Sequence, residues 1–164
     1  MGLEVTKTIM VVDDSPNDTQ LLLRTFGQLG ISNPVVNFDA ARAALAYLLD
    51  PKNPRPAIIL LDLKMPGEDG FYVLSKVKSH PELKHLIVIV LTMSSDWGDV
   101  RLAYELGANS FLTKPLDLGE FRGMVSAFHS YWVVQNQPLP SSPPLPSPLP
   151  LPASSPPNLS PPAP

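Results

Sequence analysis

The chain contains no cysteine, which removes disulfides, thiolate metal ligands and thiol nucleophiles together. It also lacks a basic excess: 12 Lys and Arg face 15 Asp and Glu, for a formal net charge of -3. Nucleic-acid binders ordinarily carry the opposite balance, because they must neutralise phosphates. No nucleic-acid partner is therefore expected. No apolar run approaches the ~20 residues that a membrane helix requires, so no membrane partner is expected either. The start, Met1 to Thr8, lacks the basic-then-apolar order of a secretory signal, and a cytoplasmic location is the expectation. Histidine is scarce. His80, His85 and His129 are scattered without evident partners and read as solvated, neither metal ligands nor phosphohistidines.

Proline, by contrast, is abundant, with 21 residues, and most of it lies at one end. From Pro138 to Pro164 there is no charged, aromatic or glycine residue. Proline has no N–H and a fixed φ, so this stretch can build neither a helix nor a sheet interior. The expected organisation is one folded domain over residues 1–136 and a disordered, proline-rich tail over 137–164, extended as polyproline II. Pro140-Ser141-Ser142-Pro143 and Pro143-Pro144-Leu145-Pro146 fit a PxxP docking spacing, although composition alone also produces it.

The folded part alternates short apolar runs with amphipathic segments. Ile9 to Val12, Val35 to Phe38, Ala57 to Leu61, Leu86 to Leu91 and Ser110 to Thr113 are too short for helices and suit buried strands. Helices are expected between and after them. Ser15-Pro16 opens the first and Asp39 caps the second; Asp96 and Asp117 cap the last two. Gly30 and Gly107 are the natural stops. Val100, Leu102, Ala103 and Leu106 form the apolar stripe of the fourth helix. Phe121, Met124, Val125, Phe128 and Trp132 form that of the fifth. With Tyr131, this last set is more than one face can bury. A protein interface, with a homodimer as one form of it, is expected there. Strict alternation implies an α/β fold with a five-stranded parallel sheet, flavodoxin-like order 2-1-3-4-5, and helices on both faces.

In such a sheet the carboxyl ends of all strands lie along one edge. Those ends carry Asp13 and Asp14, Asp62, Thr92 and Lys114. Carboxylates brought together repel unless a cation sits among them. An all-oxygen set without His or Cys favours a hard ion such as Mg²⁺. A lysine and a hydroxyl beside it suit a phosphoryl group, which Asp62 could receive by in-line attack.

Val11-Val12-Asp13-Asp14, Leu61-Asp62-Leu63-Lys64-Met65-Pro66-Gly67, Asp69-Gly70, Thr92 and Lys114-Pro115 together resemble the CheY-like response-regulator receiver family. Within it, Leu60 to Leu63, Ile89 to Thr92, Leu106 to Asn109 and Ser130 to Trp132 look like the single-domain regulators that partner phytochrome-type kinases. The resemblance implies that Asp62 is the phosphoacceptor and that Mg²⁺ is the cofactor. Asp14 would bind the ion directly, Asp13 largely through water, and the backbone carbonyl of Lys64 would be the remaining ligand. Thr92 would move toward the phosphoryl, Phe111 would rotate inward behind it, Lys114 would pair with it, and Pro115 would follow a cis bond. The partners implied are a sensor histidine kinase and a downstream protein target. The output is binding, so the protein is read as a switch and not an enzyme. A receiver-like scaffold that is never phosphorylated is the alternative.

Two residues depart from the family's pattern. Lys64 stands where shorter polar residues are frequent; its side chain could reach the phosphoryl or a carboxylate and slow hydrolysis. Met93 stands where the family usually keeps a small residue, and should narrow access for small donors. Met93→Ala should therefore speed labelling by acetyl phosphate and leave transfer from the kinase unchanged. Equal rates for variant and wild type with acetyl phosphate would remove the steric explanation.

Overall fold

The computed structural model describes residues 7–139; the PxxP segments of the tail lie outside them. The chain runs β1 (Ile9–Val12), α1 (Pro16–Gln28), β2 (Val35–Phe38), α2 (Ala41–Leu49), β3 (Ile58–Leu61), α3 (Gly70–Ser79), β4 (Ile87–Thr92), α4 (Trp97–Glu105), β5 (Ser110–Thr113) and α5 (Leu118–Phe128). The five strands pair in parallel in the order β2-β1-β3-β4-β5. This is the architecture expected from the alternating pattern, with strand boundaries within a residue of those read from it.

The three central strands are buried along their whole length, which is why they read as continuous apolar runs. Their side chains divide by parity. Ile9, Val11, Ile58, Leu60, Ile87 and Ile89 pack with Leu22 and Phe26 of α1 and Phe121, Val125 and Phe128 of α5. Met10, Val12, Ile59, Leu61, Val88 and Val90 pack with the helices of the opposite face, α2, α3 and Ala103 of α4. Two apolar layers thus clamp the sheet, and the polar ends of the strands emerge together.

Caps set the helix starts. Ser15 Oγ accepts from the Asp18 N–H at 3.2 Å, and Pro16 occupies the first turn, where its missing N–H costs nothing. Asp69, Asp96 and Asp117 cap α3, α4 and α5 in the same way. Asp39 does not cap α2, contrary to expectation. The N-cap is Ala40, without a side-chain bond, so Asp39 stands one residue too early to reach the free N–H groups.

Two other expectations need correction. The α4 stripe holds except at one position: Ala103 is buried, Val100 and Leu106 are half-buried with Leu106 packed on the core, but Leu102 is 41% exposed. The last helix does not end as an α-helix. It passes into a π-helical segment, His129–Gln135, whose longer period turns Val133 into the core beside Phe128. Phe121, Val125 and Phe128 are buried within the domain and Met124 and Trp132 half-buried, so of the expected set Tyr131 alone is exposed, with Val134 near it. Lys7 Nζ donates to the carbonyls of Val133 and Asn136, satisfying orphan acceptors at that end.

One glycine fixes how the fold meets the polar edge. A Cβ at Gly70 would lie 2.0 Å from the carbonyl oxygen of Asp62 and 2.7 Å from Leu63 Cα. The start of α3 therefore rests directly on the backbone that carries Asp62, with Gly70 N–H donating to Leu63 O at 3.1 Å. Gly70→Ala should cost about 2–3 kcal/mol, the scale of overpacking against a fixed backbone. A urea midpoint equal to that of wild type would contradict this contact.

Candidate functional site

The sheet ladder continues one residue past the strands and locks the site residues in place. Asp13 N–H donates to Phe38 O at 3.0 Å, Asp62 N–H to Val12 O at 2.9 Å, and Lys114 N–H to Thr92 O at 2.7 Å. Asp13 and Asp62 are thereby held at neighbouring backbone positions, and Lys114 is fixed beyond the intervening strand β4 through Thr92. All three are buried, at 9%, 7% and 6% exposure, and Thr92 is fully enclosed.

Their side chains converge on one ammonium. Lys114 Nζ lies 2.6 Å from Asp13 Oδ2, 2.8 Å from Asp18 Oδ2 and 3.3 Å from Asp62 Oδ2. Burial alone would lower the Lys114 pKa. The hydrogen bonds to Asp13 and Asp18, with the negative charge of Asp13 and Asp62, overcome it and hold the lysine above its ordinary value. Burial pushes the Asp13 carboxyl up; Lys114 and the Ser15 N–H pull it back, and the neighbouring Asp62 charge adds to the rise.

Asp13, Asp14 and Asp62 each offer an oxygen, and these atoms lie within 4.8 Å of one another. The donor set consists of carboxylates, which fits a hard divalent cation. Lys114 is already the counter-ion of two of these three carboxylates, Asp13 and Asp62, so it and a metal ion would draw on the same negative charge. A cavity of about 210 Å³ adjoins the cluster, lined by Asp13, Asp18, Asp62, Met93, Lys114 and the apolar floor beneath them. Met93 is 52% exposed at its rim.

The other expected residues take separate positions. Thr92 Oγ1 accepts from the Ser94 N–H at 3.4 Å. Phe111 is half-buried against the layer that holds α2 and α3. The Lys64 N–H donates to Asp62 Oδ1 at 3.1 Å. Its ammonium reaches a carboxylate, as one of the two sequence readings allowed, and that carboxylate is Asp99 at 2.8 Å. The hydrogen bond between them holds Lys64 above and Asp99 below their ordinary values.

Sequence reasoning missed Asp18 and Asp99. Asp18 falls three residues after the Ser15 cap, a place where an acid is ordinarily part of the helix start. Its place in the first turn of α1, just after the Asp13-Asp14 pair, was the available signal. Asp99 looked like an acid in the first turn of α4, favourable to the helix dipole and no more.

Comparison with known proteins points one way. The family model described as the response regulator receiver domain matches residues 9–126. Response regulator Rcp1 of Synechocystis sp. is 37% identical over 131 residues, spanning 77% of this chain and 89% of that protein. The Mn²⁺-bound form of Rcp1 superposes with a TM-score of 0.75 at 35% identity, covering 80% of this chain and 98% of that one. The phosphorylated cyanobacterial phytochrome response regulator RcpA superposes with a TM-score of 0.77 at 30% identity, covering 83% and 100%.

Removing the lysine tests the electrostatics of the cluster. Lys114→Met leaves Asp13 and Asp62 buried together without their cation, at a cost of about 3 kcal/mol in chelator. Mg²⁺ should then raise the melting temperature of the variant more than that of wild type. Equal metal-induced shifts in the two proteins would show that Lys114 and the ion do not share these oxygens.

Proposed function

The chain belongs to the response regulator receiver domain family, and on that premise we propose that Asp62 is the residue that takes the phosphoryl group. The protein is the receiver domain of a two-component response regulator. The observation that carries the residue assignment is the meeting of three strand ends, with Lys114 Nζ 2.6 Å from Asp13 and 3.3 Å from Asp62.

In this reading a carboxylate oxygen of Asp62 attacks phosphorus in line with the donor's P–N bond. As the O–P bond forms the P–N bond breaks, and its electron pair stays on the imidazole nitrogen of the kinase histidine. Asp13, Asp14, Asp62 and the Lys64 carbonyl would hold Mg²⁺. The ion supplies charge neutralisation on the phosphoryl oxygens. Lys114 pairs with one phosphoryl oxygen and Thr92 donates its hydroxyl to another. Phe111 then turns inward behind Thr92. The buried ladder bonds fix Asp62 and Lys114 before the donor arrives, so orientation is already set.

The donor is a sensor histidine kinase. The phytochrome type is supported by similarity to RcpA, whose description names a phytochrome response regulator. The family is one of regulators and not of enzymes, and the output we assign is phosphorylation-dependent binding to a protein target. A kinase that draws on ATP puts the exchange in the cytoplasm. Residues 1–136 form the receiver unit in this scheme, with 137–164 as an appended tail. A homodimer through the α5 end would rest on Tyr131 and Val134, which are exposed. The scaffold alternative gives no reason to bury Asp13, Asp62 and Lys114 together, since buried charges are costly without a function.

Incubation with Mg²⁺ and acetyl phosphate, followed by intact-mass measurement, tests the assignment. Wild type should gain one phosphoryl group and Asp62→Asn none. Labelling that persists in the variant would move the acceptor elsewhere.

A further inference from the structure

A second polar circuit lies just outside the first. Lys64 follows Asp62 by two residues, Ser94 follows Thr92 by two, and Thr113 precedes Lys114 by one. Lys64 and Ser94 meet on one carboxylate in the first turn of α4. Lys64 Nζ is 2.8 Å from Asp99 Oδ2, and the Ser94 hydroxyl donates to the same oxygen at 2.5 Å. Ser94 is tied three times more: its N–H reaches Thr92 Oγ1 at 3.4 Å, its carbonyl accepts from Thr113 Oγ1 at 3.2 Å, and its Oγ accepts the Asp96 N–H at 3.3 Å. The loops after β3 and β4 and the end of β5 are thereby gathered on Asp99.

On α4 such ties decide position. Ala103 is the one buried residue of this helix, while Trp97, Leu102 and Tyr104 are 83%, 41% and 50% exposed. Little apolar area anchors it, and apolar area is what ordinarily fixes a helix on a sheet. The Asp99 side chain is 18% exposed and Lys64 60%, so their ion pair is half open to solvent and modest in strength, and the Ser94 hydroxyl bond to the same oxygen adds to it. The other ion pair of α4, Arg101 with Glu105, is internal to the helix and exposed, and ties it to nothing.

We propose that Lys64, Asp99 and Ser94 form a latch that keeps α4 in its resting position, and that a phosphoryl group on Asp62 opens it. The inference rests on Asp62 being the acceptor. A phosphoryl group brings about two negative charges to a carboxylate whose Oδ1 already accepts the Lys64 N–H. The Lys64 ammonium, on a flexible stem, is then offered a dianion in place of the single charge of Asp99. Thr92, drawn to the same group, gives up the Ser94 N–H, and Ser94 shifts away from Asp99. Both ties loosen in one event, and α4 is left with the narrow apolar contact of Val100, Ala103 and Leu106. Asp99 acts as a positioning residue: it touches neither donor nor phosphoryl, and works through Lys64 and Ser94.

The test uses the full chain with Mg²⁺ and beryllofluoride as the phosphoryl mimic, reading affinity by calorimetry and amide exchange over residues 94–105 by mass spectrometry. In wild type, exchange there should rise on binding. In Asp99→Asn it should already be raised without ligand, and beryllofluoride should bind about two- to fivefold tighter, the worth of one partly exposed ion pair. Adding Lys64→Met to Asp99→Asn should leave exchange in the free protein as it is in the single variant and cancel the gain in affinity, because the released ammonium is what meets the group. Unchanged exchange in free Asp99→Asn, a further rise in exchange on adding Lys64→Met, or a gain in affinity that survives it, would overturn the latch while leaving the Asp62 assignment standing. If wild type fails to bind beryllofluoride, the acceptor assignment falls and the latch falls with it. Asp99→Glu should restore wild-type exchange, which separates a lost ion pair from a damaged helix.

Discussion

The molecule is organised around a repulsion. Asp13, Asp14 and Asp62 offer oxygens within 4.8 Å of one another, and two such charges 4 Å apart repel by about 4 kcal/mol at an effective dielectric of 20. The cluster holds together because a cation belongs in its middle. Lys114 supplies positive charge with bonds to Asp13, Asp18 and Asp62, and a divalent ion would fit Asp13, Asp14 and Asp62. A site that must share its negative charge between a lysine and an ion is sensitive to any group that adds charge there. That sensitivity is what a phosphorylation switch requires.

The scaffold makes the repulsion affordable. Backbone bonds from Asp13, Asp62 and Lys114 extend the ladder beyond β1, β3 and β5, so these residues cannot drift apart to relieve their charge. Beneath them the central strands are buried on both faces. Gly70 lets α3 press against the Asp62 carbonyl, closing the remaining side. Stiffness on the β1–β3 side contrasts with the light attachment of α4. A charge change delivered to the stiff part has its least costly response in the loose one, because packed cores resist continuous deformation.

Much of this was legible in the residues. Strands fully buried in a parallel sheet announce themselves as short apolar runs, and Ser15, Asp96 and Asp117 announced helix starts through their short polar side chains. Asp39 misled because a cap depends on where the first helical N–H groups fall, and a shift of one residue removes the contact. Leu102 in the α4 stripe misled for a different reason. Helical spacing records which residues could share a face, not whether the sheet has room beneath that face. The π-helical end of α5 breaks the 3.6-residue period, so no stripe of that spacing could reveal that Val133 turns inward.

The sequence by itself determined the alternation of strands and helices, the order of the sheet and the identity of the acids and lysine at its edge. Each of these follows from local pattern and from the rule that parallel strands end together. Tertiary structure alone decided that Asp18 joins Asp13 and Asp62 on Lys114, that Lys64 turns to Asp99, and that Gly70 is required by a neighbouring carbonyl. Those are contacts between side chains or backbone far apart along the chain or on different elements. Their partners are chosen by distance and dielectric after folding, and neither quantity is written in the spacing of residues along one chain.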